Sequence, residues 1–492
     1  MLFTVRAGSE NEKQPIHAAS IAGNGARWHF SSVVLCRNRF HPSIGRLLAR
    51  PGRGGAYFTA QATVPTQSES GRSEAAYAPA SGNASQLTLE QAVRAALAWH
   101  PSIDESVSRI QQNEAEIDGA RAGYYPKVSG GLGTSYRNYS SGRDWQPRIN
   151  VNATQMIYDF GKVASDVEAK TARTNVSRTD LLLGVDTLAR DTANAVIEVQ
   201  RYQALLGAAR EQVRGIQAIA NLVSERSGRG AATRSDELQA QARVNSAQSM
   251  VHEISGQLDR WQGQLAILTG RSGGVSVAGA VPPWLGSACS LPEPDWSQSP
   301  AVMQAEARKA EARAQAKQAT AQAYPTLSVQ AGAGYDIDDS STSSSDELEL
   351  KVGINLSGNL YDGGATAAGR RAAEHAVAAA DAAIRNARLS LSSSLSQSRS
   401  QVASIQGMLA SLTERESLLV QTRDLYRQQY EELGTRTLLD LLNAEQDLHQ
   451  ARFDKINAMH DLRRLGVDCM FNSGRTRELL GLRGMTIRGV TL

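Results

Sequence analysis

Two stretches, Lys162 to about Ser227 and Ala365 to about Glu432, contain no proline. At 1.5 Å of rise per residue, each would be a helix roughly 100 Å long. A compact domain cannot hold such a rod, so the chain must build something elongated. Only 41% of its 492 residues are hydrophobic and 5% aromatic, which suits long helices better than large globular cores. Both stretches end at glycine turns, Gly228-Arg229-Gly230 and Gly434, and shorter helices are expected to return over about 233–270 and 437–468.

The rods belong to an internal repeat. Pro101 precedes Tyr125-Pro126 as Pro300 precedes Tyr324-Pro325. Tyr158-Asp159-Phe160-Gly161 returns as Tyr361-Asp362-Gly363-Gly364, and Gly230-x-x-Thr233-x-x-Asp236-x-Leu238 as Gly434-x-x-Thr437-x-x-Asp440-x-Leu442. Three landmarks in one order at nearly one offset define two copies of a unit, 87–270 and 296–470, joined by a linker at 271–295 and followed by a tail at 471–492. Each copy opens with a helix that starts at its proline and ends at Tyr-Pro, because proline disfavours helix for the residue before it.

After each Tyr-Pro the hydrophobic period changes to two. Leu327, Val329, Ala331, Ala333 and Tyr335 alternate with Ser328, Gln330, Gly332 and Gly334, and Leu348, Leu350, Val352, Ile354 and Leu356 alternate with polar residues. The first copy does the same, less cleanly. Four strands are expected, at about 127–137, 148–158, 326–336 and 348–360. Their links, 138–144 and 337–347, are polar, and the second is expected to face the cell exterior, with Tyr136 and Tyr335 near the membrane interface. Strands of about ten residues with one apolar and one polar face are what a membrane barrel requires, lipid wetting one side and water the other. No apolar run approaches the roughly 20 residues of a spanning helix.

Other function classes lack their signatures. The 52 basic and 49 acidic residues are spread along the chain, so no nucleic-acid-binding face is advertised. Cys36, Cys289 and Cys469 lie far apart with no histidine at metal-ligand spacing, which gives neither a disulfide framework nor a metal site. His375, His449 and His460 sit in helical sequence, and no nucleophile elbow, phosphate loop or HExxH motif appears. The chain is therefore expected to be no enzyme and to need no cofactor. Residues 1–86 read as a leader or disordered linker: Ala60-Gln61-Ala62 has a cleavage-site form, but Arg46, Arg50 and Arg53 interrupt the apolar region a secretory signal needs. A structural coiled-coil or adhesin rod is the reading from another class, but a rod does not account for four strands placed before the long helices.

Leu89-Glu90-Gln91-Ala92, the helices between proline and Tyr-Pro, Leu360-Tyr361-Asp362-Gly363-Gly364 and above all Gly434-Thr435-Arg436-Thr437-Leu438-Leu439-Asp440-Leu441-Leu442-Asn443-Ala444 resemble the TolC-like outer-membrane factors over about 87–470. The resemblance implies a mainly α fold with a membrane β-barrel: a homotrimer closing twelve strands in outer-membrane lipid, continued by an α-helical tunnel through the periplasm. It implies a periplasmic adaptor and an inner-membrane ABC or RND pump as partners, docking at the hairpin tips that hold Gly228, Arg229, Gly230, Gly434 and Thr435. It also implies a periplasmic constriction at Asp440, with Asn443 where a second acidic ring is usual. Arg436, one turn earlier, is expected to be the cation that holds the tip closed, the alternative being a solvated i, i+4 pair with Asp440. The first tip, Ser227 to Thr233, lacks the apolar Val-Gly-Leu common where drug-pump adaptors bind, and Glu431 stands where an aromatic residue is common. Those departures favour type I protein secretion over drug or small-molecule efflux.

Overall fold

A computed structural model describes residues 86–139, 142–290, 294–336 and 348–491. The leader and the 337–347 link lie outside the described residues. Each repeat runs helix, strand, strand, long helix, shorter helix. The first comprises α1 (Leu89–Trp99), α2 (Pro101–Arg121), β1 (Lys127–Tyr139), β2 (Gly142–Tyr158), α3 (Lys162–Gly228) and α4 (Arg234–Thr269). A short α5 (Pro283–Ser287) follows. The second repeat has α6 (Pro300–Ala321), β3 (Thr326–Asp336), β4 (Leu348–Ser357), α7 (Ala365–Gln428) and α8 (Leu438–Asn472).

Local chemistry sets these boundaries. Pro101 and Pro300 occupy the first turns of α2 and α6, where a missing N–H costs nothing. Gly161 and Gly364 precede α3 and α7 at φ of +88° and +87°, a region few side chains tolerate. Asp159 and Asp362 then accept hydrogen bonds from the first-turn amides of Val163 and Thr366, which have no partner within the helix. α1 was not anticipated as a separate element; Thr88 and Gln91 start it with a reciprocal capping box. The polar link expected at 138–144 is largely strand, since β1 runs on to Tyr139 and β2 starts at Gly142. β4 stops at Ser357, three residues before the expected end.

The helices lie side by side. α2, α4, α6 and α8 all pack on α3, and α7 packs on α6 and α8. Val185, Ala189, Ala193 and Val196 of α3 recur at helical spacing and are fully buried in the main core, midway along the rods. α7 differs: of its 64 residues only Ile384, Leu395 and Ser398 are buried, while Leu389, Met408, Leu418 and Leu425 stand exposed. The four strands form one antiparallel sheet in the order β1-β2-β3-β4, so β1 and β4 are its free edges.

Cysteine spacing predicts no disulfide framework, and the structure corrects this: Cys289 is bonded to Cys469, 180 residues away. The linker makes the bond possible. Gly466 of α8 touches Leu285 of α5 so closely that a Cβ would stand 2.5 Å from the Leu285 carbonyl oxygen. The linker therefore lies directly on α8, and Cys289 arrives beside Cys469. The expected tail is also folded. Beyond α8, α9 (Thr476–Leu479) and a small hairpin of β5 (Thr486–Ile487) and β6 (Val490–Thr491) return to the rods, burying Leu480, Leu482 and Ile487 in the main core.

Arg477 of α9 reaches Asp186 of α3 at 3.5 Å. Burial pushes the Asp186 carboxyl up to about 7 against the pull of Arg477, and neither carboxylate oxygen accepts a hydrogen bond among the described residues. The folded state thus holds this proton more tightly than the unfolded chain, so stability falls as pH rises from about 4 to about 7. A shift of that size corresponds to a change on the order of 4 kcal/mol. Asp186→Asn should remove this component, and thermal unfolding of both proteins at pH 5 and pH 8 checks it. An unchanged pH slope in the variant would mean that another group carries it.

Candidate functional site

Two places carry chemistry: the wall made by the sheet and the tips made by the helical hairpins. In the sheet, strand register sorts side chains by face. Asn150 pairs with Gly131 and Gly334, Asn152 with Ser129 and Gly332, and Gly332 with Lys351. One face is therefore polar, with Arg148, Thr154, Gln330, Glu349 and Asn355 on it. Glycine makes room there: a Cβ at Gly334 would strike the Arg148 guanidinium, and one at Gly332 would come within 2.9 Å of Asn152 Oδ1. Arg148 lies across β3 at Gly334 to pair with Glu349 on β4, and Lys351 pairs with Glu349 at 2.5 Å. The opposite face carries Val128, Leu132, Val151, Leu350, Val352 and Ile354, all exposed. Exposed aromatics stand at both its ends, Tyr136 and Tyr335 at one, Tyr158, Phe160 and Tyr324 at the other. No described helix is long and apolar enough to cross a membrane.

At the tips, the repeated Gly-x-x-Thr-x-x-Asp resolves into local stereochemistry. Gly230 and Gly434 take φ of +76° and +62° and reverse the chain. Thr233 and Thr437 then cap α4 and α8, each in a reciprocal capping box with Asp236 or Asp440. Asp440 Oδ2 accepts from the Thr437 hydroxyl at 2.9 Å and from its amide at 3.3 Å. Arg436 Nη1 stands 4.0 Å from Asp440, at the outer limit of an ion pair. Its firmer contacts are with the end of α7, where Nε donates to Gln429 Oε1 at 3.0 Å and the guanidinium lies 4.4 Å from the Tyr426 ring. Thr435 donates its amide to the Gln429 carbonyl at 3.2 Å. Gly228 ends α3, and Arg229, exposed beside it, stands 3.9 Å from Glu225.

Asn443 accepts from Arg243 of α4 at 3.5 Å, and Arg243 also donates to Gln446 at 2.7 Å. Arg226 near the end of α3 donates to the Tyr430 carbonyl at 2.9 Å and lies over the Tyr430 ring. These pairs lie 200 to 204 residues apart, close to the repeat offset, so the two tips stand side by side at one level. Ile219, Val223, Val244, Leu438 and Leu441 form a second core between them. One turn above Asp440, Glu445 is buried between His449, at 3.2 Å, and Arg423 of α7, at 3.3 Å. Burial acts to raise the Glu445 carboxyl, but the His449 hydrogen bond and the charges of His449 and Arg423 hold it below the usual range. Sequence reasoning missed Arg226, Arg243 and Glu445. For the two arginines the repeat offset was the available signal; for Glu445 there was none.

The profile of the family described as Outer membrane efflux protein matches residues 92–271 and 296–464, well over half of the chain. The chain belongs to the outer membrane efflux protein family. Members of this family are channels rather than enzymes, and this chain is one of them. Solved structures agree on the fold. CusC, a transmembrane channel, aligns with a TM-score of 0.67 at 19% identity, covering 78% of this chain and 91% of its own. The outer membrane protein VceC of Vibrio cholerae gives 0.66 at 18%, covering 78% and 96%. The CmeC outer membrane channel of Campylobacter jejuni gives 0.66 at 17%, covering 79% and 86%. No curated protein matches the sequence. The rod or adhesin reading falls with this membership.

Proposed function

We propose that three copies of this chain close a twelve-stranded barrel in the outer membrane and a helical tunnel beneath it, forming the exit duct for a periplasmic adaptor and an inner-membrane ABC or RND pump. The observation that carries this is the open sheet: β1 and β4 are unpaired edges, and the exposed face is apolar between two sets of aromatics. Four strands cannot close alone, and a head-to-tail β4 to β1 contact repeated three times abolishes every edge. The exposed leucines of α7 supply the matching seam below. In its own chain α7 packs chiefly on α6 and α8, and its exposed residues would meet α2 and α4 of the next subunit. Among systems, type I protein secretion fits the polar first tip, Ser227 to Thr233, and Glu431 better than drug efflux does.

At the tips, Asp440 of three subunits would converge on the pore as one acidic ring, Asn443 leaving the next turn neutral. Purified trimer should conduct in planar bilayers and be blocked by multivalent cations from the tunnel side. Asp440→Asn keeps a side-chain acceptor for Thr437 while removing the charge, and it should weaken that block about tenfold or more. Protein that does not conduct would overturn the duct. Conduction with block unchanged in the variant would overturn only the ring.

A further inference from the structure

Where barrel meets tunnel, a groove of about 670 Å³ runs between α3, α6 and α7. Its side of the wall is fixed by register. The polar face of the sheet continues downward past Thr154, Ser328 and Asn355 to Asp159, Lys162 and Val163, which line a separate cleft on the lumen side. The groove instead uses the other stripe of α3, Gly161, Ala164, Ser165 and Glu168, and is capped by Phe160 and Tyr324. Those rings stack at 5.5 Å, and Phe160 meets Tyr158 edge-on at 4.7 Å, so the cap is continuous with the apolar outer face.

Beneath that aromatic cap the groove carries three cations and two carboxylates, a net excess of one positive charge. Its floor is small, Ala164, Ala316, Thr320 and Ala321, and its walls carry Arg313 and Lys317 from α6, Arg370 and Glu374 from α7, and Glu168 from α3. Lys317 is occupied by Glu168 at 2.5 Å. Arg313 and Arg370 are exposed, and among the described residues neither has a hydrogen-bond or ion-pair partner. Arg370 lies six residues into α7 and Arg313 eleven residues before Tyr324, which sets their backbones roughly 8 and 16 Å beneath the aromatic ring level. Arg370 thus stands at the depth of lipid headgroups, since the interfacial layer adds several Å to each side of the hydrocarbon, and Arg313 at the periplasmic limit of that layer. The groove sits on the α6 side of α7, away from the unpartnered seam.

We infer that this groove binds one phospholipid of the periplasmic leaflet per subunit, its phosphate between Arg313 and Arg370 and its acyl chains rising past Phe160 and Tyr158 along Ile157 and Leu356. Guanidinium groups suit phosphate oxygens, and the aromatic cap joins the headgroup site to the lipid-facing band. A bound lipid would fasten the barrel to the three helices that leave it. The inference rests on the barrel standing in a bilayer with its apolar face outward.

Native mass spectrometry of the full-length trimer in detergent, titrated with dioleoylphosphatidylglycerol, tests it. Retention of up to one lipid per subunit is expected, with no retention of dioleoylglycerol, which has the same chains and no phosphate. R313Q combined with R370Q should weaken retention about thirtyfold, from roughly one kcal/mol per cation at a membrane surface. Thr320→Trp, which fills the floor without changing charge, should weaken it too, whereas Arg371→Gln, exposed outside the groove, should not. Equal retention by the double variant, or equal binding of dioleoylglycerol, would overturn the site. Displacement by soluble glycerol 3-phosphate would show a free-phosphate site and overturn the lipid. If those variants retain lipid while the trimer still conducts, this inference alone fails; a protein that neither needs detergent nor conducts takes the duct reading with it.

Discussion

Cys289→Ala together with Cys469→Ala should lower the unfolding free energy by about 2–5 kcal/mol, because the bond closes a very long loop and its loss frees the unfolded chain. The bond joins the inter-repeat linker to α8, 180 residues apart, so the second repeat from α6 to α8 lies inside the loop. Arg399 of α7 donates to the Cys289 carbonyl at 3.0 Å, tying a third helix to the same point. Reductant should act on the wild type as the double variant does, with the midpoint of thermal unfolding falling by several degrees. It should have no effect on the variant. Equal midpoints with and without reductant would show that the linker stays docked without its bond.

That bond also marks how far a sequence can be read. The rods and strands were legible because each rests on local rules: period two after Tyr-Pro, no proline through α3 and α7, glycine at the reversals. The shared Gly-x-x-Thr-x-x-Asp was legible as a repeat, but its cause, a left-handed glycine followed by a capping box, emerged only from backbone geometry. Contacts between distant segments were not legible. Nothing local announces that Gly466 admits the linker to α8, or that the last residues fold back over α3. At the tips, spacing alone made Arg436 and Asp440 a pair. It could not show that Tyr426 of α7 and Gln429 just after it hold Arg436 more closely than Asp440 does.

The largest effect near the proposed tunnel entrance is expected at Glu445, because among the described residues it is the buried carboxylate there that α7 and α8 share. Its oxygens face His449 and Arg423, and Gly215 of α3 is close enough that a Cβ would run into the carboxylate. Glu445→Ala leaves the buried His449 without this carboxylate, while the partly buried Arg423 keeps Asp424 at 2.7 Å, so the cost should lie at or below the lower end of the about 3–5 kcal/mol expected for breaking a buried pair. Glu445→Gln keeps the shape and one hydrogen bond, so its cost should be smaller. Gly215→Ala attacks the same contact from the other side by pushing Glu445 away from α3. Because Glu445 stands little more than one turn above Asp440, loosening it should free the α7/α8 hairpin from α3 while the barrel stays intact. Resting conductance should therefore rise in the order wild type, Glu445→Gln, Glu445→Ala, and Gly215→Ala should add little to Glu445→Ala, since the two changes break one contact. Additive effects of Gly215→Ala and Glu445→Ala would show that α3 and Glu445 act on the entrance separately.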